Sequence, residues 1–513
     1  MKNKLIWLGL GIVILMMFMP VSLVSAAPQG KVVYVINSPN FYMTGLDWFT
    51  ARGYVSNSIK TIFGDSLVIK NIDGSFSPGL AKSWEVSNGG KTYKFTLVDN
   101  AKFHDGSPVT AEDVKFSLER FAKPELKYVF GKEWEAILKE IVVEDDHHLT
   151  ITFNELYPDF FDRNGEYFGI APKKYIEKVG DKGFADKIIG SGPFKLVKFD
   201  YDVSIEATAV PDHYRKPPNI KDLTLMFVTE NGTRMAMLKT GEADIIYLHG
   251  SQLPEARQDP NIRIQRSEYC NLEAFCFYDF MNGTKGPWQD IRVRQAVDYA
   301  IDRKMICDKI LNGNFTPYRG ILAPYNPGFE PAKEVPTKYD PEKAKALLKE
   351  AGYDKGITAN MYFLTSRKPQ AEAIAGYLSA VGINLKINMA ENAVLVKKTW
   401  ARELDGVGLG TGVWWVGRVH PGVALKSFQT NTARYGYSAS QEITDLVEKS
   451  LKTVDEKELV KIGHEITDVY LKQLNQLSLW ATSFTIGIGP KVDKAPAISG
   501  WPQPSGFEYF TLK

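Results

Sequence analysis

The sequence predicts an α/β fold with more than one core, and three observations carry that reading. A helix pattern over Ala371–Val381 stops at Gly382 and runs straight into an alternating strand pattern, Ile383–Met389; such helix–glycine–strand succession argues for packed layers. The chain has 513 residues, more than one hydrophobic core accommodates. Its 44% apolar and 24% charged content is that of a globular protein, so that length is available for burial.

At the start, Lys2 and Lys4 precede the apolar run Leu5–Met19, and Val24-Ser25-Ala26 follows. A charged region, an apolar region and a small-residue site make a secretory signal, cleaved after Ala26. The apolar run is short for a spanning helix. No cysteine follows it closely, so a soluble periplasmic protein without a lipid anchor is expected. Removing residues 1–26 takes two lysines and no acids from 62 basic and 60 acidic side chains, leaving 60 of each. A net charge of zero gives no footprint for nucleic acid or an anionic membrane. Cys270 and Cys276 fall within one expected strand, too far apart along it to bridge, so buried thiols are expected over a disulfide involving Cys307.

Lys31–Ile36 (KVVYVI) is a short β run, followed by a loop from Asn37 to Trp48, then a helix end and a strand within residues 59–72. Tyr93, Phe95 and Leu97 alternate with polar or smaller residues as in a half-buried strand. His104-Asp105-Gly106-Ser107-Pro108 is turn chemistry. Thr110 and Asp113 have capping-box spacing before Val114, Leu118 and Phe121 at helical intervals. A charged helix over Trp134–Ile141 and a strand over Leu149–Phe153 follow. Strands are then expected at Phe194–Phe199, Val203–Ala207, Leu223–Val228 and Ala243–Leu248, with a helix at Gly232–Lys239. Arg263–Phe280 is long enough to cross from one domain to the next. Val293, Ala296, Val297, Ala300 and Ile301 mark a helix. So do Asp340 as N-cap, Pro341 at N1, and Ala344, Leu347, Leu348 and Ala351 before Gly352. Helices at Gln441–Leu451 and Glu456–Leu474 precede a last strand region, Ser478–Ile488.

Catalytic signatures are missing: there is no G-x-S-x-G, H-E-x-x-H or Walker loop. Gly408-Leu409-Gly410-Thr411-Gly412 runs into Val413-Trp414-Trp415 and not into a helix, so it reads as a glycine-rich strand beside a ligand, not a phosphate loop. His147-His148 reads as a solvated turn, and His104 as structural. No metal or cofactor is expected. Thr411–Pro421 (TGVWWVGRVHP) is poor core material and suits an aromatic-lined cleft with a few polar groups. Trp414, Trp415, Arg418 and His420 are candidates there, set against the plainer readings of a core tryptophan and a solvated arginine. Arg367, before a helix, is a further candidate, and Tyr42, Trp48 and Tyr278 complete the expected wall.

The wording of Tyr93–Arg120 resembles the signature of the family 5 extracellular solute-binding proteins, the dipeptide-, oligopeptide- and nickel-type receptors of ABC importers. The resemblance continues at Gly190-Ser191-Gly192-Pro193-Phe194, Gly241-Glu242-Ala243-Asp244-Ile245, Asp290–Ala296 and Tyr339-Asp340-Pro341-Glu342-Lys343-Ala344, in the family's order and over nearly all of the mature chain. It implies a two-lobe periplasmic-binding-protein fold, class II or cluster C type. Lobe I would be 27–273 with an accessory subdomain near 73–188, lobe II 274–481, and 482–513 a return to lobe I. It implies a monomeric, non-enzymatic receptor that closes over a small solute and delivers it to permease subunits. The competing classes are a hydrolase using Asp or Glu pairs and a chaperone or signalling partner.

One departure bears on the ligand. Dipeptide-type receptors clamp the peptide ammonium with an Asp in the segment matching Thr411–Pro421, and that position falls at Gly417; no acid occurs from Gly406 to Pro421. Arg367 matches their carboxylate-binding Arg, and Arg418 adds a positive charge. The expectation is therefore a small organic acid with Arg367 as its main charge partner, with a peptide as the alternative.

Overall fold

The structure is a computed structural model and describes residues 27–37, 45–50, 54–71, 74–126, 128, 131–267, 271–413, 420–430, 440–496 and 506–513. Lys31–Ile36 lies inside a seven-stranded sheet, in the order Arg263–Ser267, Phe484–Ile488, Ile245–Tyr247, Lys31–Ile36, Asp222–Phe227, Ser204–Ala209, Phe194–Asp200. Its two neighbours are parallel to it. A strand of that kind is covered on both faces, which is why KVVYVI is a continuous apolar run. Val32, Tyr34 and Ile36 enter the large core shared with the residues that follow, and Val35 enters a smaller one with Met235, Leu238 and Ile246.

The unit around Tyr93–Arg120 belongs to a separate four-stranded antiparallel sheet, ordered Ala81–Ser87, Thr92–Leu97, His148–Phe153, Leu138–Asp145. The capping box is present: the Asp113 carboxylate accepts the Thr110 N–H at 3.0 Å. The helix it starts, Ala111–Arg120, ends in an arginine wholly buried between Asp47 at 2.7 Å and Asp181 at 2.6 Å. The helix expected over Trp134–Ile141 covers only Gly131–Ile137. Leu138–Asp145 is a strand, because the β-branched run Ile141-Val142-Val143 pairs with Leu149–Ile151. His104 is a brace. Its Nδ1 accepts the Gly190 N–H at 3.3 Å, and its Nε2 lies 3.0 Å from the Gly192 carbonyl. Gly190 and Gly192 are glycines because a Cβ there would lie 2.0 Å and 2.5 Å from the Phe63 backbone.

The second large sheet has six strands, ordered Thr316–Pro317, Gln476–Ala481, Leu272–Phe277, Val407–Val413, Ile357–Leu364, Ile383–Ala390. Helices Ile291–Ala300, Pro341–Glu350 and Lys368–Ser379 cover one face through Val293, Ala296, Val297, Ala344, Leu348, Ala371, Ile374 and Leu378. Gln441–Leu451 and Glu456–Gln473 pack beside it in a third core with Tyr318, Leu322 and Leu425.

The long strand expected over Arg263–Phe280 is two strands and a helical turn, Tyr278–Met281, and Ser478–Ile488 is likewise divided. Each half belongs to a different sheet. Where the chain passes between sheets, Thr482 N–H donates to the Asn271 carbonyl at 2.8 Å and Asn271 N–H to Thr482 Oγ1 at 3.0 Å. The loop at Asn312–Asn314 adds further ties: Asn312 Nδ2 to Gly250 O at 3.1 Å, Arg266 Nη1 to Gly313 O at 2.8 Å, and Thr485 Oγ1 to Asn314 Oδ1 at 2.8 Å. Cys276 and Cys307 are buried free thiols, each pushed up to about 12 by burial; Cys270 lies outside the described residues.

Burial holds the His104 imidazole down at about 4, against 6.5 when exposed. Between those values the unfolded chain takes a proton that the fold refuses. Its contribution is therefore complete above about pH 6.5 and is lost as the pH falls toward 4. At about 1.4 kcal/mol per pH unit the loss reaches about 3 kcal/mol. Denaturant unfolding between pH 7 and 4 should show a shallower decline in His104→Asn than in the parent; equal slopes would remove His104 as the cause.

Candidate functional site

The glycine strand Val407–Val413 explains itself once Tyr278 is in place. A Cβ on Gly408 would stand 2.5 Å from a Tyr278 ring carbon and 2.7 Å from the Tyr362 carbonyl oxygen. A Cβ on Gly410 would stand 3.2 Å from Cys276 Sγ. The glycines thus accommodate the protein's own side chains. Tyr278 is 6% exposed, its ring laid over the strand and not on an open wall.

Trp48 is also inside. Its Nε1–H donates to the Gly169 carbonyl at 3.2 Å, and its ring stacks on Phe49 and meets Phe184 edge-on. Only 2% exposed and with its polar atom engaged in the first core, it offers no surface to a solute. His420 precedes the short helix Pro421–Leu425 and is 9% exposed. Burial lowers its imidazole to about 4, so it is neutral at pH 7 and brings no charge to an anion. Tyr42, Trp414, Trp415 and Arg418 lie outside the described residues. The last three continue the chain directly from the glycine strand.

Arg367 closes the one-turn helix Thr365–Arg367, which follows the strand Ile357–Leu364. Its charge is opposed by a carboxylate from another strand. Arg367 Nη2 lies 2.6 Å from Glu273 Oε1, and the other oxygen of that carboxylate accepts the Trp480 Nε1–H at 2.7 Å. Glu273 sits at a double irregularity of the sheet. The ladder to the glycine strand shifts between Leu272 and Glu273, and the ladder to Gln476–Ala481 shifts between Glu273 and Ala274. Bulges of this kind re-aim a side chain. Sequence reading passed over Glu273, although a signal was there: one acid in the otherwise apolar run Leu272–Phe277 has to find a partner if the strand is buried. Asp405, just before the acid-free stretch, is occupied by the Tyr362 hydroxyl at 2.6 Å and Asn360 Nδ2 at 2.8 Å.

A second polar contact joins the four-stranded sheet region to the helices of the second large sheet. Lys426 Nζ, at the end of Pro421–Leu425, lies 2.8 Å from Glu133 Oε1. Glu133 Oε2 lies 3.2 Å from Arg163 Nη2, and Arg163 Nε lies 2.5 Å from Asp159. Burial raises the Glu133 carboxyl, but Arg163 and Lys426 outweigh it and hold it below the ordinary carboxylate range. Among the described residues, no cluster of three or more His, Cys, Asp or Glu could hold a metal.

Two large sheets joined by paired crossings make a two-lobed α/β molecule. The description "Bacterial extracellular solute-binding proteins, family 5 Middle" matches residues 75–436. The chain belongs to this family. A dipeptide-binding protein of Escherichia coli (strain K12) is 28% identical over 369 residues, 66% of this chain and 67% of its own. HbpA2 from Haemophilus parasuis has the same fold, with a TM-score of 0.82 at 24% identity over 94% of this chain and 100% of that one. AgaA from A. tumefaciens R10, in complex with agropinic acid, gives a TM-score of 0.73 at 26% identity over 94% and 99%. This family 5 protein is a two-lobe α/β receptor that captures a small solute for an ABC importer. Its relatives are periplasmic transport receptors, not enzymes. No helix among the described residues is long and apolar enough to cross a membrane.

In a hinged receptor the contact between Lys426 and Glu133 favours the closed arrangement. Half-exposed pairs of this kind contribute about 0–1 kcal/mol, so the effect is a few-fold. Lys426→Glu should lengthen the distance between spin labels placed on the two lobes, and adding Glu133→Lys should shorten it again. An unchanged distance in the single variant would show that the pair does not bias closure.

Proposed function

We propose that the solute is a small carboxylate-bearing molecule and that Arg367 is its charge partner. The observation that carries this is the position of Arg367: it closes the one-turn helix after the strand Ile357–Leu364, which pairs with the glycine strand that precedes residues 414–419, and a quarter of its side chain is exposed. A guanidinium has five N–H donors in a fork, more than the one Glu273 oxygen at Nη2 can take up. The remaining donors suit a second oxyanion. Trp414 and Trp415 would supply aromatic wall and Arg418 further positive charge, while His420, neutral and buried, would only shape the cleft. AgaA, with agropinic acid bound, is a relative of this kind. A peptide is the second reading, favoured by the dipeptide-binding relative; it too presents a carboxylate.

In this reading lobe I comprises 27–273 with 482–513, lobe II comprises 274–481, and the monomer docks its two lobes on permease subunits without transforming the solute. Native mass spectrometry of the purified protein should reveal a co-purified acid. Calorimetry should then show Arg367→Ala losing about 1.5–3 kcal/mol of its binding. Unchanged binding of an acidic ligand by Arg367→Ala would reject the assignment. Processing is expected after Ala26, with no lipid on the new N-terminus. The intact mass of the secreted chain decides this, and a membrane-retained, unprocessed chain is the contrary result.

A further inference from the structure

Glu273 is the one acid of the strand Leu272–Phe277, and the fold holds it in place from two sides. Its side chain is 4% exposed, against 25% for Arg367, so the arginine reaches the surface and the acid is buried. Trp480 Nε1–H, itself buried, fixes the second oxygen at 2.7 Å. Moving Glu273 aside would leave that N–H without its acceptor, which is costly inside a protein. The carboxylate is thus a permanent neighbour of the guanidinium and not a placeholder that a solute displaces.

The consequence is electrostatic. Arg367 and Glu273 together carry no net charge. One solute carboxylate on the free side of the fork brings the group to a single negative charge, offset by charge-assisted hydrogen bonds. A second carboxylate adds another negative charge that this pair has no cation left to meet, so only a cation outside the pair, such as Arg418, would offset it. An arginine standing alone has the opposite preference and favours the dianion. We infer that Glu273 is a specificity-determining residue that acts through Arg367: by cancelling the guanidinium charge it lowers the affinity for a dianionic solute relative to that for its counterpart with one carboxylate. This rests on the reading of Arg367 as the solute's charge partner. A purely structural Glu273, bracing Trp480 and the bulge, would make no such distinction between ligand charges.

Two probes of one skeleton separate these cases: 3-phenylpropionate, with one carboxylate, and benzylsuccinate, with two, titrated into the full mature chain by calorimetry. Glu273→Gln, which keeps an oxygen for Trp480 but loses the charge, should shift the ratio of affinities toward the dianion by at least about tenfold. Arg367→Gln, a variant of opposite sign, should shift it further against the dianion. Trp480→Phe leaves both charges in place and should leave the ratio alone. An unchanged ratio in Glu273→Gln, an equal weakening of both probes, or an equal shift in Trp480→Phe would each overturn the inference. If the parent binds neither probe, the carboxylate reading itself fails, and thermal melting then judges the pair. Arg367→Ala should lower the melting temperature by stranding the acid, and adding Glu273→Gln should restore most of that loss. Simple addition of the two losses would overturn the coupling.

Discussion

The hydrogen bonds between Asn271 and Thr482 set the terms for everything else in this molecule. They bind two antiparallel strand pairs into one ribbon that begins in the seven-stranded sheet and ends in the six-stranded one. A ribbon two strands wide resists stretching and shear but yields to bending, because its ladder bonds run across the direction of travel. Each sheet has its own core, so the lobes fold on separate hydrophobic grounds and exchange little apolar surface at the crossings. The loop at Asn312–Asn314 restricts that bend on one side by tying to Gly250, Arg266 and Thr485. Such an arrangement suits a receptor whose states differ by rotation of intact lobes.

The same ribbon positions the chemistry. Glu273 is two residues beyond Asn271, at the point where both ladders slip, and its two hydrogen-bond partners come from the strand Gln476–Ala481 and from the turn after Ile357–Leu364. A carboxylate buried so near the crossing couples the geometry of Arg367 to the strand that passes between lobes. Arg367 is thereby braced by a residue of the sheet, although it lies in the turn after its own strand.

Much of the fold was legible in the sequence because its signals are local. Thr110 with Asp113 announces a helix start, Asp340 with Pro341 another, and Gly382 a stop, each through the backbone geometry of a few consecutive residues. What could not be read is whatever depends on a distant partner. Ile141-Val142-Val143 looks like the end of a charged helix until Leu149–Ile151 offers it a ladder. Trp48 looks like cleft material until Gly169 and Phe184 enclose it. The glycines at 408 and 410 look like room for a ligand until Tyr278, more than a hundred residues earlier, fills that room. Glu273 belongs to the same class, since it reaches Arg367 from another strand of the sheet, more than ninety residues earlier in the chain.

That last case also bears on how an empty receptor behaves. Closing two lobes over a bare arginine would strip water from an unpaired charge, a cost that by itself would hold the empty protein open. Pairing Arg367 with Glu273 in advance removes most of this cost, and His420 adds none because burial keeps it neutral near pH 7. The contact between Lys426 and Glu133 pulls toward closure without reference to any solute. The equilibrium between open and closed forms is then balanced nearly independently of the site's own charges. A solute shifts it only by the interactions that it makes in the closed form alone. For a receptor that has to report occupancy to its transporter, that is a useful arrangement: with Arg367 already paired, the signal for delivery is left to the fit of the solute.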